Sequence, residues 1–538
     1  MKKGIQILFF TAFFLICAAG CSRSGQSSAR TVTIGDDGRE KIGAAYTKGL
    51  PIADPGSYSF TLFIDDSKED DTYAVFPIFE KETGIKVNLV KNPYAIANEK
   101  LTLALNSGDY ADVIGGWTLS QNHILTYGME EKVFIPLEDL FAEYCPNIAE
   151  ALDRPGVRQT MTAPDGHIYS VPYVLQAPLV AYQPWINTRW LKNVGMEMPE
   201  TTAEFEAVLK AFKQKDANGN GNANDEIPFS GDPNNLHLGE LCGWFGMSVR
   251  SGHNGTPAEE GLTMINGQIS FGANTSQYRD GIKYLAGLYV QGLIDPEIFT
   301  QNKEQWKAKG EADRYGVILT YYSQDIKPLN PGEVPEWAAL PVLTGPGVSK
   351  PVYLRDSYGT DILKNQVVIT DKAKSPEAIV RWWDYVYAYD NTMQTQHGPI
   401  GVTIFKEPDG RFRKVDITTL GAADQTRYNW GNLFPQALPK YDPDGAYKVI
   451  EAVPMYDEKA VSDRLYEPYL TDRLPSFWTT QEQAATLNDL QVAIGSYVRQ
   501  KRAEWIAGQS NIDTDWPDYL TQLNRLKLKE YLDLRRSL

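Results

Sequence analysis

At 538 residues, with 42% hydrophobic and 22% charged side chains, the chain is too long for a single core and has the balance of a globular protein of two or more lobes. Its formal charge of −16 argues against nucleic acid and anionic lipid as partners. The cysteines, Cys17, Cys21, Cys145 and Cys242, make neither a disulfide framework nor a CxxC metal pair, and Cys145 and Cys242 read as buried thiols.

The chain opens with Lys2 and Lys3, then an apolar run from Ile7 to Ala19. Such a run is shorter than the ~20 residues that span a bilayer, and with its charged start it has the form of a secretory signal, residues 1–20. Ala18, Ala19 and Gly20 stand directly before Cys21, which resembles a bacterial lipobox. That resemblance implies lipidation of Cys21 and a chain held at the outer face of the cell membrane of a Gram-positive type bacterium. An ordinary signal with an incidental cysteine is the other reading. Residues 21–57, rich in Ser, Gly, Arg and Asp, read as a flexible tether. No later apolar stretch is long enough to cross a membrane.

Ser59–Ile64 alternates and is β-prone. Thr72–Thr83 reads as a helix that Gly84 caps, and Ile85–Val90 as a second strand. Asn98–Asn106 reads as a helix ending near Gly108, and Ala111–Ile114 as a third strand. Strand, helix, strand, helix, strand predicts a parallel α/β sheet. Helices are expected within 187–215, with Thr202 as a cap and Glu204 and Glu206 in the first turn, and over 275–293, Ser375–Tyr389 and Gln481–Arg502. The third of these carries an aromatic-heavy face.

Residues 216–226 form the sharpest local motif. Asp216, Asn218 and Asn220 present oxygens at alternate positions, and Gly221 follows where a tight turn is needed. Asn222 offers a carbonyl, and Asp225 and Glu226 close the loop. Ca²⁺ takes six to eight hard oxygens, which this spacing offers. The first six positions follow an EF-hand, whereas the closing Glu226 stands one position early. The expectation is a structural Ca²⁺ loop on one helix, against a metal-free Asn/Gly turn as the alternative.

Around this loop the chain resembles a known family. Trp185-Ile-Asn-Thr-Arg-Trp-Leu, Met198-Pro-Glu-Thr-Thr-Ala-Glu-Phe and Asp225-Glu-Ile-Pro-Phe-Ser are similar to large extracellular solute-binding proteins of carbohydrate ABC importers. The likeness is to the lipoprotein branch found in Bacillus and Paenibacillus. Ala163-Pro-Asp-Gly-His-Ile-Tyr-Ser-Val-Pro and Ser375-Pro-Glu-Ala fit the same family, and the resemblance covers nearly the whole mature chain. It implies an α/β, type II periplasmic-binding-protein fold, with two discontinuous lobes, a hinge and an interlobe cleft for sugar. The expected division is 58–172 with 346–400 for the N-terminal lobe and 173–345 with 401–538 for the C-terminal lobe. An oligosaccharide would pass from the cleft to ABC permease subunits, and the binding protein would be a monomer.

Family position suggests Trp117, Tyr321, Tyr322 and Trp478 as cleft residues, then Trp185 and Trp244, with Arg355, Asp356 and Tyr358 as polar contacts. The 12 Trp and 30 Tyr suit this reading, since rings stack on the C–H faces of sugars. Uronic-acid oligomers would call for Arg or Lys in the cleft, neutral glycans for aromatics with Asp, Asn and Gln. Two other readings stay open. The same fold can present ligand to a sensor or bind peptides. A secreted glycoside hydrolase or polysaccharide lyase would share the aromatics and the loop. The sequence has no G-x-S-x-G elbow, no H-E-x-x-H helix and no phosphate loop, and its histidines are scattered without ligand spacing.

Overall fold

The strand Tyr58–Asp65 points Phe60, Leu62 and Ile64 into one apolar cluster and Phe63 into another, so it is covered on both faces. It lies inside a four-stranded sheet in the order Val367–Ile369, Val113–Gly115, Tyr58–Asp65, Ile85–Asn92. The last three strands are parallel and the first is antiparallel. Helix Phe76–Thr83 ends at Gly84, which takes the left-handed conformation (φ 74°) and sits against the Ala53 carbonyl. Helix Tyr94–Ser107 ends at Gly108 in the same way.

The computed structural model describes residues 31–68, 73–175, 179–252, 257–326, 336–355, 362–442, 449–450 and 455–538. The signal segment, Cys21, Asp356 and Tyr358 lie outside these. Among the described residues no helix is long and apolar enough to cross a membrane.

A second sheet runs Trp337–Ala339, Gln183–Asn187, Tyr315–Thr320, Ile227–Gly231, with the last two strands parallel. Its core gathers residues from Val180 to Leu343, then Tyr353, then Tyr466 to Tyr531. The first-lobe core instead gathers residues from Ile42 to Val174 and from Val367 to Tyr387, with Phe434 and Leu438. A small three-stranded sheet joins Ile362–Leu363, Tyr173–Leu175 and Tyr441–Asp442 where the chain passes between lobes.

Two expectations need correction. Residues 32–53, expected in the tether, are folded: Val32–Ile34, Glu40–Ile42 and Ala45–Tyr46 form an antiparallel sheet, and Ile42, Tyr46, Ile52 and Ala53 are buried. Arg381 reaches the carbonyls of Tyr46 and Gly49 from helix Pro376–Tyr387 and fastens this segment to the first lobe. Residues 401–442 and 449–450, expected with the C-terminal lobe, pack with the first, because Phe434 and Leu438 enter its core, Tyr441 pairs with Val174, and Ile404, Phe412 and Val449 cluster with Met393. Tyr353 goes the other way, into the second core.

Lys440, in the same segment, is buried with Gln436 Oε1 at 3.4 Å and the Tyr173 and Phe434 ring centres each at 5.9 Å, and it makes no ion pair among the described residues. Burial pushes its amine down to about 7 from 10.5. Holding the ammonium inside therefore costs stability. The cost is full below about pH 7, shrinks as pH rises, and is gone above 10.5. Lys440→Met is expected to raise stability at pH 6 by about 1–4 kcal/mol. Calorimetry at pH 6 and pH 9.5 checks this, and a gain that does not shrink at the higher pH refutes the cause.

Candidate functional site: the ends of the two sheets

Ligands of open α/β sheets bind beyond the carboxyl ends of the parallel strands. In the first lobe, Val113–Gly115 ends in Gly116, whose φ of 121° and contact with Asp65 leave no room for a Cβ. The Asp65 carboxylate accepts from the Trp117 amide (3.1 Å) and from the Thr118 amide (2.5 Å) and hydroxyl (2.7 Å). Burial raises its pKa, and these bonds offset part of that rise. The turn so fixed leaves Trp117 51% exposed at the sheet end.

The second lobe repeats the device. Tyr315–Thr320 ends at Tyr321 and Tyr322, and Asp325 accepts from the Thr320 hydroxyl (2.6 Å) and the Tyr322 amide (3.1 Å). The two half-buried rings meet edge to face with centroids 4.6 Å apart, and Tyr321 meets Tyr182 likewise at 5.6 Å. Tyr182 stacks flat on His237 at 4.0 Å, and His237 Nδ1 lies 2.9 Å from buried Glu240 Oε1. Burial alone would raise the Glu240 carboxyl, but the His237 charge and the Ser251 donors hold it down at about 2. The buried Lys459 ammonium donates to Ala181 O, Gln183 Oε1 and Tyr321 O, and lies 4.6 Å from the Tyr321 ring centre. Tyr182, His237 and Lys459 escaped the sequence reading because their role rests on contacts between distant segments.

The other expected residues divide. Trp185 is a core residue, 1% exposed, with its indole N–H on Thr320 O. Trp244 is likewise 1% exposed, against Phe205 and Tyr284. Both are corrected from cleft to core. Trp478 is half-buried on the first lobe, where its N–H donates to Thr160 O and the Lys364 ammonium lies 4.2 Å from its ring centre. Arg355 is half-buried at the end of the second-lobe segment that contains Tyr353.

The acidic loop lies at the opposite end of the second sheet's parallel strands, before Ile227–Gly231 begins and beside the start of Tyr315–Thr320. It follows helix Thr202–Gln214, whose capping box is made by Thr201 and Glu204; the cap is one residue earlier than expected. Asp216 accepts from the amides of Gly219, Asn220 and Gly221 at 2.9–3.0 Å. Asp225 receives the side-chain amides of Asn218 (3.5 Å) and Asn220 (2.9 Å), and Glu226 Oε1 receives the Ala217 amide (3.0 Å), so the two ends of the loop are drawn together. Asn222 accepts from the Asn224 amide at the exposed tip. Glu226 Oε2 is buried with no hydrogen-bond donor. An orphaned carboxylate oxygen among hard oxygens fits a Ca²⁺ ligand set. Among the described residues no group of three or more His, Cys, Asp or Glu could hold a metal, so this loop would depend on its asparagines.

Comparison with known proteins agrees with this architecture. The bacterial extracellular solute-binding protein family matches residues 62–393. The chain is 32% identical over 491 residues, 87% of each chain, to the fructooligosaccharide ABC transporter substrate-binding protein FusA of Streptococcus pneumoniae serotype 4. The solved structure of a FusA EF-hand mutant from that organism, in complex with fructo-nystose, is 28% identical with a TM-score of 0.71, covering 89% of this chain and 98% of that one. A solute-binding protein associated with an HMO-binding ABC transporter of Bifidobacterium longum infantis shares the fold at 21% identity, with a TM-score of 0.74 over 90% of this chain and 98% of that one. With its two α/β lobes in the type II arrangement and that match, the chain belongs to the bacterial extracellular solute-binding proteins.

Proposed function

We propose that the protein captures an oligosaccharide between its lobes and delivers it to the permease of an ABC importer. The observation that carries this reading is the pair of aromatic ends, Trp117 on one sheet and Tyr321–Tyr322 on the other, each set by a carboxylate beyond a strand terminus. Flat apolar faces with polar rims suit sugar rings. FusA, the relative named above, is a fructooligosaccharide-binding protein, which makes kestose and longer fructans the first cargo to test. The protein binds and releases its sugar unchanged, as a monomer tethered to the outer face of the membrane by lipid on Cys21.

The loop 216–226 holds a structural Ca²⁺. Asp216, Asn218, Asn220, Asn222, Asp225 and Glu226 supply its oxygens, and the ion neutralises the buried Glu226 carboxylate. Its place at the starts of the strands, away from Tyr321 at their far end, supports a role in stability and not in ligand contact.

Titration calorimetry with a panel of neutral and acidic oligosaccharides tests the main reading, with mass spectrometry of the sugar afterwards. Binding without cleavage is expected; a cleaved product would make the protein an enzyme. Tyr321→Ala is expected to weaken binding by at least about 2 kcal/mol, roughly 30-fold, as truncated aromatic anchors do. Its unfolding midpoint should stay within a few degrees of the parent, and unchanged affinity would remove Tyr321 from the cleft.

A further inference from the structure

Arg355 stands where the second lobe returns the chain to the first. Just before it, the Tyr353 hydroxyl donates to Tyr182 O at 2.9 Å. Leu354 shares a small void with Tyr182 and His237, and its amide donates to Ser248 Oγ at 2.8 Å. Just beyond it, Ile362 pairs with Val174 in the sheet between the lobes. Arg355 thus directly follows two residues that touch Tyr182, the ring that meets Tyr321 edge to face.

Its backbone is fixed, the amide donating to Thr471 Oγ1 at 3.2 Å. Its side chain is not. The Nε–H is sealed from water and meets no acceptor, and the guanidinium makes no ion pair among the described residues. Of the carboxylates on the elements packed beside it, Glu240 and Asp463 are already engaged, and Asp472, next to the Thr471 that holds its amide, is exposed to solvent and makes no ion pair with it among the described residues. Glu240 is taken by His237 and by the Ser251 amide and hydroxyl. Asp463 accepts from the Val180 amide.

A half-buried guanidinium without a counter-charge is a standing cost, and it grows if closure of the lobes removes more water. A hydroxyl can satisfy one donor but leaves the charge unbalanced. A carboxylate matches the planar fork with two parallel charge-assisted bonds, about twice as strong as neutral ones. The long-range field of a chain of net charge −16 repels anions, so an acidic ligand needs such a local partner.

We propose that Arg355 recognises a carboxylate on the captured oligosaccharide, and that the preferred cargo contains an acidic sugar. This rests on the cleft reading above and narrows it.

The test pairs each acidic oligomer with a neutral twin of the same shape: tri- and tetramers of galacturonate, mannuronate and glucuronate against their methyl esters, with kestose beside them. Titration calorimetry is run on the parent, Arg355→Lys and Arg355→Met, each first shown to melt within a few degrees of the parent. At least one acidic oligomer is expected to bind ten-fold or more tighter than its ester. Arg355→Met should reduce that ratio below two-fold, and Arg355→Lys, which keeps charge but loses the fork, should fall between. Esters or kestose binding as tightly as every acid, or an acid preference that survives Arg355→Met, overturns the assignment while leaving an oligosaccharide cleft in place. No binding by any sugar overturns both.

Discussion

Replacing Arg502 with methionine lowers the stability of the second lobe by about 3–5 kcal/mol. Arg502 lies on helix Gln481–Ile506, on the face that buries Leu490, Ile494, Val498 and Trp505. Its Nη1 is 2.6 Å from Glu260 Oε1, and the other oxygen of Glu260 accepts the Gly252 amide at 2.9 Å. Both side chains are almost wholly buried. Burial works against the Arg502 charge, but Glu260 more than offsets it and raises the pKa above the ordinary arginine range. The substitution leaves the Glu260 carboxylate inside the lobe with one backbone amide for company. At about 2–4 °C per kcal/mol, the midpoint should fall by roughly 10 °C. Calorimetry reads it, and Arg502→Met combined with Glu260→Leu should recover most of the loss. If the double variant is no more stable than the single one, the isolated carboxylate is not the cause.

Stripping divalent cations with EDTA is expected to lower the midpoint of the same lobe by a comparable amount. A site with a Kd near 1 μM in 1 mM Ca²⁺ contributes about 4 kcal/mol by mass action. The loop is bonded into its surroundings on several sides: Arg189 donates to Asn218 O, Asn193 to Ala217 O and Arg314 to Asp225 O. Its collapse would therefore loosen both Thr188–Val194 and the start of Tyr315–Thr320. Asp216→Ala should melt at the EDTA value whether or not Ca²⁺ is present. Mg²⁺ should restore little, since it demands a tighter octahedral shell. An EDTA-insensitive midpoint in the parent would make the loop a metal-free turn.

The periodic parts of the fold were legible in the sequence. Ser59–Leu62 alternates because Ser59 and Thr61 lie on the more open face there, and the alternation stops at Phe63 and Ile64, where both faces are covered; Gly84 and Gly108 end helices because both must turn left-handed there. The folding of residues 32–53 was not legible. Their apolar side chains are few and spaced by turns, and what holds them lies well outside the segment: Thr83 and Gly84 about 30 residues on, and Ser375 and Arg381 more than 300 residues away. Segment 401–442 was misplaced for the same reason, since two residues, Phe434 and Leu438, decide which core it joins. At the candidate site, chain order marked Trp117, Tyr321 and Tyr322, which follow strand ends directly. It could not separate them from Trp185 and Trp244, because an indole in a core and an indole in a cleft look alike until their neighbours are known.

The two thiols fall one to each core, Cys145 in the first and Cys242 in the second, both free and sealed from solvent. Burial raises the pKa of each, so little reactive thiolate forms while the cores stay packed. Hinge bending moves the lobes without opening either core, and so leaves both sulfurs silent. In a soluble form beginning after Cys21, a thiol-reactive dye therefore ignores the working motion and marks only local melting. The mass of the labelled peptide tells which half of the molecule let go first.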